Sequence, residues 1–391
     1  MNATAAVERL LALGPDGSHP ASAIAGVRTV AGTTVAEGGW ARLPSAGQPG
    51  APMTRQTLLD LASVTKVAVT TTLVMRLVAE GQLRLETPAH RFLPSFTDAE
   101  GAKDAITVEH LLTHTAGLRP WWPLYYSAAD DRDAALACVQ QLPLATRPGT
   151  AWFYSDLGFM LAGRIIECVT TLGLADAFRQ LVAEPLGLTA RYGPVPAAQA
   201  AASADSDAYE YGMIATGSPY PVPFEAGQFP GWRNRPARGE VNDGNAAHAL
   251  GGVSGHAGLF ATADDLLRLG AAVGGGDFIP SGVLARFAAP AGVHPEQAVG
   301  FRRVSTRAGT LLYHGGFTGT YFAFGLADEL VVAGGAMRLY GALGLIPGRG
   351  GPPDVSRVVP SADIQSVLLD AGLRAFGQAS AGTHAIHDEE K

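Results

Sequence analysis

Lysine is nearly absent from this chain. Of 28 basic residues only Lys66, Lys103 and Lys391 are lysine, and the arginines are scattered. No basic run with interleaved aromatics therefore offers a footprint for nucleic acid. Acidic residues number 35, so the formal net charge is −7 and the expected surface is mildly acidic. Cysteine occurs only as Cys138 and Cys168, both in segments that read as helical. Two such residues form neither a disulfide framework nor a metal-ligand pattern, and they read as reduced core thiols. Apolar runs are broken by charge, Gly or Pro short of the roughly 20 residues that a membrane helix needs. At the start, Glu8 and Arg9 stand where a secretory signal requires an unbroken apolar stretch. These absences predict a cytoplasmic enzyme with no nucleic-acid and no membrane partner. Composition leaves the oligomeric state open.

With 47% hydrophobic residues over 391 positions, the chain can bury one large core or two modest ones, as an ordinary globular enzyme does. Residues 21–43 carry short β-branched runs separated by Gly, the pattern of a strand pair with a tight turn. From 63 to 80 apolar positions recur at helical spacing, ended by Gly81. Further helices are expected at 108–112, 134–141, 157–170, 175–186 and 264–272. Between them, residues 192–245 hold Gly, Pro and aromatics with little periodicity and read as long loops, such as often form substrate walls or lids. Strand signals return at 299–305, 310–314, 320–325 and 329–333, before an amphipathic closing helix at 361–376 and a polar, frayed tail over 377–391. Strands at both ends with helices between them predict an α+β unit: an antiparallel sheet from residues 1–62 and 251–376, flanked by helices, with a mostly helical region over 63–250.

The scarcity of lysine makes Lys66 conspicuous, because it lies in an apolar helical stretch where arginine, used elsewhere for plain charge, would have kept its proton. A partly buried lysine can lose one. Three residues earlier stands Ser63, and on a helix positions three apart share a face, so the amine reaches the hydroxyl. At a helix start the exposed N–H groups favour the negative charge that develops in acyl transfer. A capping serine followed by a snorkelling lysine would leave the same four letters.

Four further motifs follow in order: His110-Leu-Leu-Thr-His-Thr-Ala-Gly-Leu118, Tyr154-Ser-Asp-Leu-Gly158, Gly251-Gly-Val-Ser-Gly-His-Ala-Gly-Leu-Phe260 and His314-Gly-Gly-Phe-Thr-Gly-Thr320. With Ser63-Val-Thr-Lys66 they resemble the class C β-lactamase, penicillin-binding-protein and family VIII esterase group, over roughly residues 58–333. The resemblance implies a β-lactamase/transpeptidase-like fold, Ser63 as nucleophile, and Lys66 and Tyr154 as the groups that move its protons. It also implies an oxyanion hole from the backbone N–H groups of Ser63 and Phe317, beside the Gly315-Gly316 strand end.

Two departures from the family pattern bear on substrate. Asp156 stands where an asparagine usually donates to an acyl amide, and a carboxylate only accepts. It also favours a protonated Lys66, which shifts the base role toward Tyr154. His314 replaces a permanent ammonium that would hold a carboxylate, so an anionic substrate is no longer demanded. Together these predict a small uncharged ester, with an amide as the other option. Trp121, Trp122, Tyr125 and Tyr126 are candidates for a pocket wall, with surface packing as the alternative. No cofactor or metal is expected: Gly252-Val-Ser-Gly-His256 misses a nucleophile elbow, no phosphate loop occurs, and His110 with His114 has no third ligand nearby. The alternatives are a D-amino-acid peptidase or weak β-lactamase on the same residues, or a non-catalytic scaffold or sensor.

Overall fold

The computed structural model describes residues 2–128, 130–326, 330–346 and 352–388, with side chains up to residue 379. Its centre is a seven-stranded antiparallel sheet of β1 (Ser22–Thr29), β2 (Gly32–Arg42), β3 (Ala51–Pro52), β4 (Arg302–Thr306), β5 (Gly309–Gly315), β6 (Thr320–Gly325) and β7 (Leu330–Ala336). The spatial order is β3-β2-β1-β7-β6-β5-β4. The two ends of the chain meet where β1 pairs with β7, from Ala23↔Ala336 to Thr29↔Leu330. Glu329, which was expected to open the last strand, lies outside the described residues.

Alternation along these strands sets the layers. Ala23, Ala25, Val27, Tyr321, Ala323, Leu330 and Val332 face the helices Ala3–Leu11 and Ser361–Asp388. Ile24, Phe322, Phe324, Val331 and Ala333 face the opposite way, into the large core shared with the helix Ala263–Gly274 and the inserted helical region. With a helical layer on each face, the central strands are buried on both sides and lack the polar-out positions of an edge strand.

Most expected helices form within a residue or two, with Val108–Leu112 and Asp156–Thr170 started by side-chain caps from Thr107 and Ser155. Four differences stand against the expected pattern. The 175–186 segment is broken into Leu174–Phe178, a π-helical turn Arg179–Ala183 and Glu184–Leu186. Within the expected loops of 192–245 lies a helix, Ala208–Thr216, which buries only Ala208, Gly212 and Ile214 and so lacks a broad apolar stripe. A helix also forms at Ser281–Ala288. The closing helix runs on to Asp388 rather than fraying after 377; residues 389–391 lie outside the described part. The segment Ala62–Ala79 is long and apolar enough to cross a membrane, yet 78% of it is buried inside the protein, as an all-round apolar core helix must be.

Candidate active site

Ser63 follows a short strand, Leu59–Asp60, that pairs with Leu259–Ala261 and so fixes the start of the long core helix on the 251–260 motif. The buried Asp60 carboxylate accepts from the N–H of Ala62 (3.0 Å) and of Asn242 (2.6 Å). Burial pushes Asp60 up to about 6. Ala62 adopts φ +46°, a left-handed conformation that costs a non-glycine residue energy and that this turn holds in place. Ser63 then sits in a single 3₁₀ turn, Ala62–Val64, and Lys66–Thr71 is π-helical. The Thr71 and Thr72 hydroxyls donate to the carbonyls of Lys66 and Val67, five residues back, as additional bonds across the wider turn.

Lys66 is fully buried. Its Nζ donates to Ser63 Oγ (2.9 Å), to Asp156 Oδ1 (2.7 Å) and to the carbonyl of His256 (3.3 Å). Burial works to strip the proton from this amine, but Asp156, followed by Tyr154, outweighs it and holds Lys66 above its ordinary range. The Nζ lies 4.9 Å from the centroid of the Tyr154 ring, and the phenol faces both Lys66 and Ser63. Burial pushes the Tyr154 hydroxyl up, against the pull of Lys66. The resting site is therefore an ammonium, a carboxylate and a neutral phenol around one serine hydroxyl. With its oxygen taken as acceptor by Lys66, the Ser63 O–H is left to donate toward Tyr154.

Two histidines from the sequence motifs brace Tyr154. His114, at φ +58°, packs on its ring at 4.6 Å with the planes tilted by 38°, and accepts from the Ser155 N–H through Nδ1 (3.0 Å). His314 lies 5.9 Å away on the other side and donates from Nδ1 to the carbonyl of Gly315 (2.7 Å). Burial, then Lys66, pulls His314 down to about 3, so it stays neutral. His314 is buried behind the phenol rather than at the cavity surface. Its neighbour Gly316 lies where a Cβ would come within 2.5 Å of the carbonyl of Leu61, so the β5 end can press against the Ser63 turn only as glycine.

These groups open onto a cavity of about 320 Å³. Ser63, Tyr154, Asp156, Gly315, Gly316 and Phe317 all border it. The backbone N–H groups of Ser63 and Phe317 have no acceptor among the described residues. Of the expected aromatic wall only Trp121 borders the cavity. Trp122 packs on Phe224, and Tyr125 is buried against Phe229 and Trp232 with its hydroxyl donating to Glu210 (2.7 Å). Much of the remaining wall comes from positions that sequence reasoning left as loop: Tyr209, Glu210 and Met213 on the helix Ala208–Thr216, Tyr220, and Asp243; Ser361 and Gln365 of the closing helix also border it. The concentration of Tyr and acidic residues in 205–243 is the signal that could have singled them out.

Asp156, Asp243 and His256 bring potential metal ligands within 4.8 Å of one another. Both ring nitrogens of His256 are already engaged, by Ser254 Oγ (2.7 Å) and Asp243 Oδ1 (2.9 Å). The Lys66 ammonium already serves Asp156 as its cation, so the donor set fits a buried ion-pair network and not a metal.

A family model for β-lactamase matches residues 8–341. The chain belongs to the β-lactamase family. An N-acetylmuramyl-L-alanine amidase from Bacillus subtilis is 31% identical over 314 residues, 72% of this chain and 68% of the amidase. Esterase EstB of Burkholderia gladioli is 39% identical over 157 residues, which is 36% of this chain and 40% of the esterase. The solved structure of EstCE1, a hydrolase with promiscuous acyltransferase activity, superposes with a TM-score of 0.66 at 20% identity, covering 93% of this chain and 96% of that one, and so shares the fold. The β-lactamase/transpeptidase-like fold expected from the motifs is the fold observed, and membership of the family makes the chain a hydrolase of the serine type.

Proposed function

We propose that the protein hydrolyses small carboxylic esters through an acyl-enzyme on Ser63. The observation that carries this is the 2.9 Å contact between Ser63 Oγ and the buried Lys66 ammonium on the floor of the cavity, with Tyr154 facing both. In the proposed first step the Tyr154 phenolate, formed in small amount and stabilised by Lys66, takes the Ser63 proton as Oγ bonds the carbonyl carbon. The carbonyl electrons move onto oxygen, which the free N–H groups of Ser63 and Phe317 are placed to receive. Collapse breaks the bond to the alcohol oxygen, which leaves with the proton from Tyr154. Water then attacks the acyl carbon, gives its proton to Tyr154, and releases the acid as that proton returns to Ser63 Oγ.

The 39% identity to an esterase supports this substrate class. A carboxypeptidase or β-lactamase reading requires a cation to hold the substrate carboxylate, and among the described residues no lysine, arginine or histidine borders the cavity. A scaffold has no use for a fully buried lysine on a serine hydroxyl, a costly arrangement unless it serves chemistry. Purified protein should hydrolyse p-nitrophenyl acetate or butyrate, and Ser63→Ala should lose nearly all of that rate, of the order of 10³-fold or more. Equal turnover by the variant would sink the assignment.

A further inference from the structure

The expectation of an uncharged substrate came from two positions, Asp156 and His314. The whole cavity wall says more. Four carboxyl groups border it, Asp156, Asp207, Glu210 and Asp243, against no basic side chain among the described residues. The nearest cations are turned away or occupied. Arg233 spends its donors on Asp207, Val241 and Asn242, and Arg338 donates to the carbonyls of Phe317 and Val359. Lys66 is shared among Ser63, Asp156 and His256.

The carboxyl groups differ in what they have left to offer. Asp207 is saturated by Arg233, through side chain and backbone, and by His248. Asp243 accepts from Ala246 N–H (2.8 Å) and His256 (2.9 Å), both at Oδ1, so Oδ2 carries no bond among the described residues. Glu210 accepts from Tyr125 and from the Gly244 N–H (3.0 Å), with no cation partner. Asp243 and Asp156 bring oxygens within 4.8 Å of each other, so anionic potential is concentrated where a ligand would reach past Ser63. Burial and the adjacent Asp243 push Glu210 up, as repulsion between two carboxylates sharing a wall without a cation requires. Around them stand the rings of Trp121, Tyr209 and Tyr220, with Trp121 and Tyr220 stacked at 6.3 Å. Carboxylates and aromatic faces together form the environment that binds an ammonium ion and disfavours an anion.

Resting on the hydrolase reading above, we propose that the substrate is an ester or amide that carries an ammonium group, seated between Asp243 and Glu210 while its carbonyl lies at Ser63. The added cation relieves the repulsion between the two carboxyl groups and leaves the nucleophile untouched.

Three isosteric methyl esters test this at neutral pH: methyl 4-aminobutanoate, methyl pentanoate and monomethyl glutarate, which present an ammonium, a methyl and a carboxylate at the same place. The expected order of kcat/KM is ammonium, then methyl, then carboxylate, with about a tenfold advantage for the first over the second, as one well-placed ion pair of about 1.4 kcal/mol gives. In Asp243→Asn the ammonium-to-methyl ratio should fall toward one. A wild-type ratio of one or less, a preference for the glutarate, or a ratio unmoved in both Asp243→Asn and Glu210→Gln overturns the proposal. If no ester turns over, the hydrolase reading fails, and calorimetric binding of benzylammonium, benzyl alcohol and benzoate to the wild type decides the charge preference separately. Tightest binding by benzylammonium upholds an ammonium site; equal binding or a preference for benzoate removes it.

Discussion

Behind one wall of the cavity, under Ser63, the buried charge is a cation, Lys66, held by a carboxylate at 2.7 Å and kept protonated; on the other wall it is a carboxyl group, Glu210, supported by a phenol and an amide and pushed toward its neutral form. Lys66 is the more deeply buried of the two and is the one that stays charged, so burial alone does not decide the charge state. The partner does. An ion in a poorly polarisable interior stays ionised only where an opposite charge repays the lost hydration. The Lys66 wall is complete in itself and suited to proton movement; the Glu210 wall is incomplete until something positive arrives.

The most direct way to break the first wall is Lys66→Met, which removes the ammonium that stabilises the Tyr154 phenolate. Turnover of a simple ester should fall by about 10²–10⁴-fold, the range that a positioned acid–base group contributes, because Tyr154 then has no cation to hold its ionised form. Unchanged turnover would show that the base does not depend on Lys66.

A smaller change, Asp156→Asn, keeps shape and removes the ion pair. Without Asp156, burial pulls Lys66 down, and Tyr154 loses a neighbour that raises it. Both shifts make a proton acceptor available at lower pH, so the rising limb of the pH–rate profile for p-nitrophenyl butyrate should move to lower pH. A limb that stays in place, or moves up, would mean that the Lys66–Asp156 pair does not govern the base.

Spacing made one wall legible in the sequence and left the other hidden. Ser63 and Lys66 lie three residues apart on one helix, and Tyr154 and Gly316 stand in short motifs, so local geometry carries the information. The β-branched and aromatic run at 320–325 likewise revealed β6 to the residue. The second wall is assembled from separate stretches: Tyr209 and Glu210 on a short helix without a broad apolar stripe, and Asp243 capping the helix Gly244–Ala249. Their convergence depends on tertiary packing that no local pattern encodes. Proximity in sequence also misled, since Trp121 borders the cavity while Trp122, the next residue, turns to Phe224. Lysine scarcity picked out Lys66 as an amine free to lose its proton, whereas the structure keeps it protonated, and Lys103 is just as withdrawn from solvent, 2% exposed, with Nζ donating to the carbonyl of Gln140 (2.6 Å) over the Phe96 ring. The Lys103 amine has no hydroxyl or carboxylate bonded to it, and burial pulls it down against the weaker pull of Asp98. A buried lysine becomes chemically useful through its partners.

The second wall can be sharpened through stability. The Glu210 carboxyl keeps its proton to about 8 in the folded protein, whereas the unfolded chain releases it near 4.5. Between those values the native state binds more protons, so stability falls as pH rises through the interval and the contribution is fully lost above 8. Glu210→Gln mimics the protonated form: its amide can donate to Tyr125 while its oxygen accepts from the Gly244 N–H. Asp60, raised to about 6, titrates in the same direction in both proteins and cancels in the comparison. The Tm of the wild type, taken relative to the variant, should therefore decline between pH 5 and 9, by about 5 °C at most for a chain of this size. If the two profiles run parallel, Glu210 is ionised throughout, and the wall then already has a cation of its own.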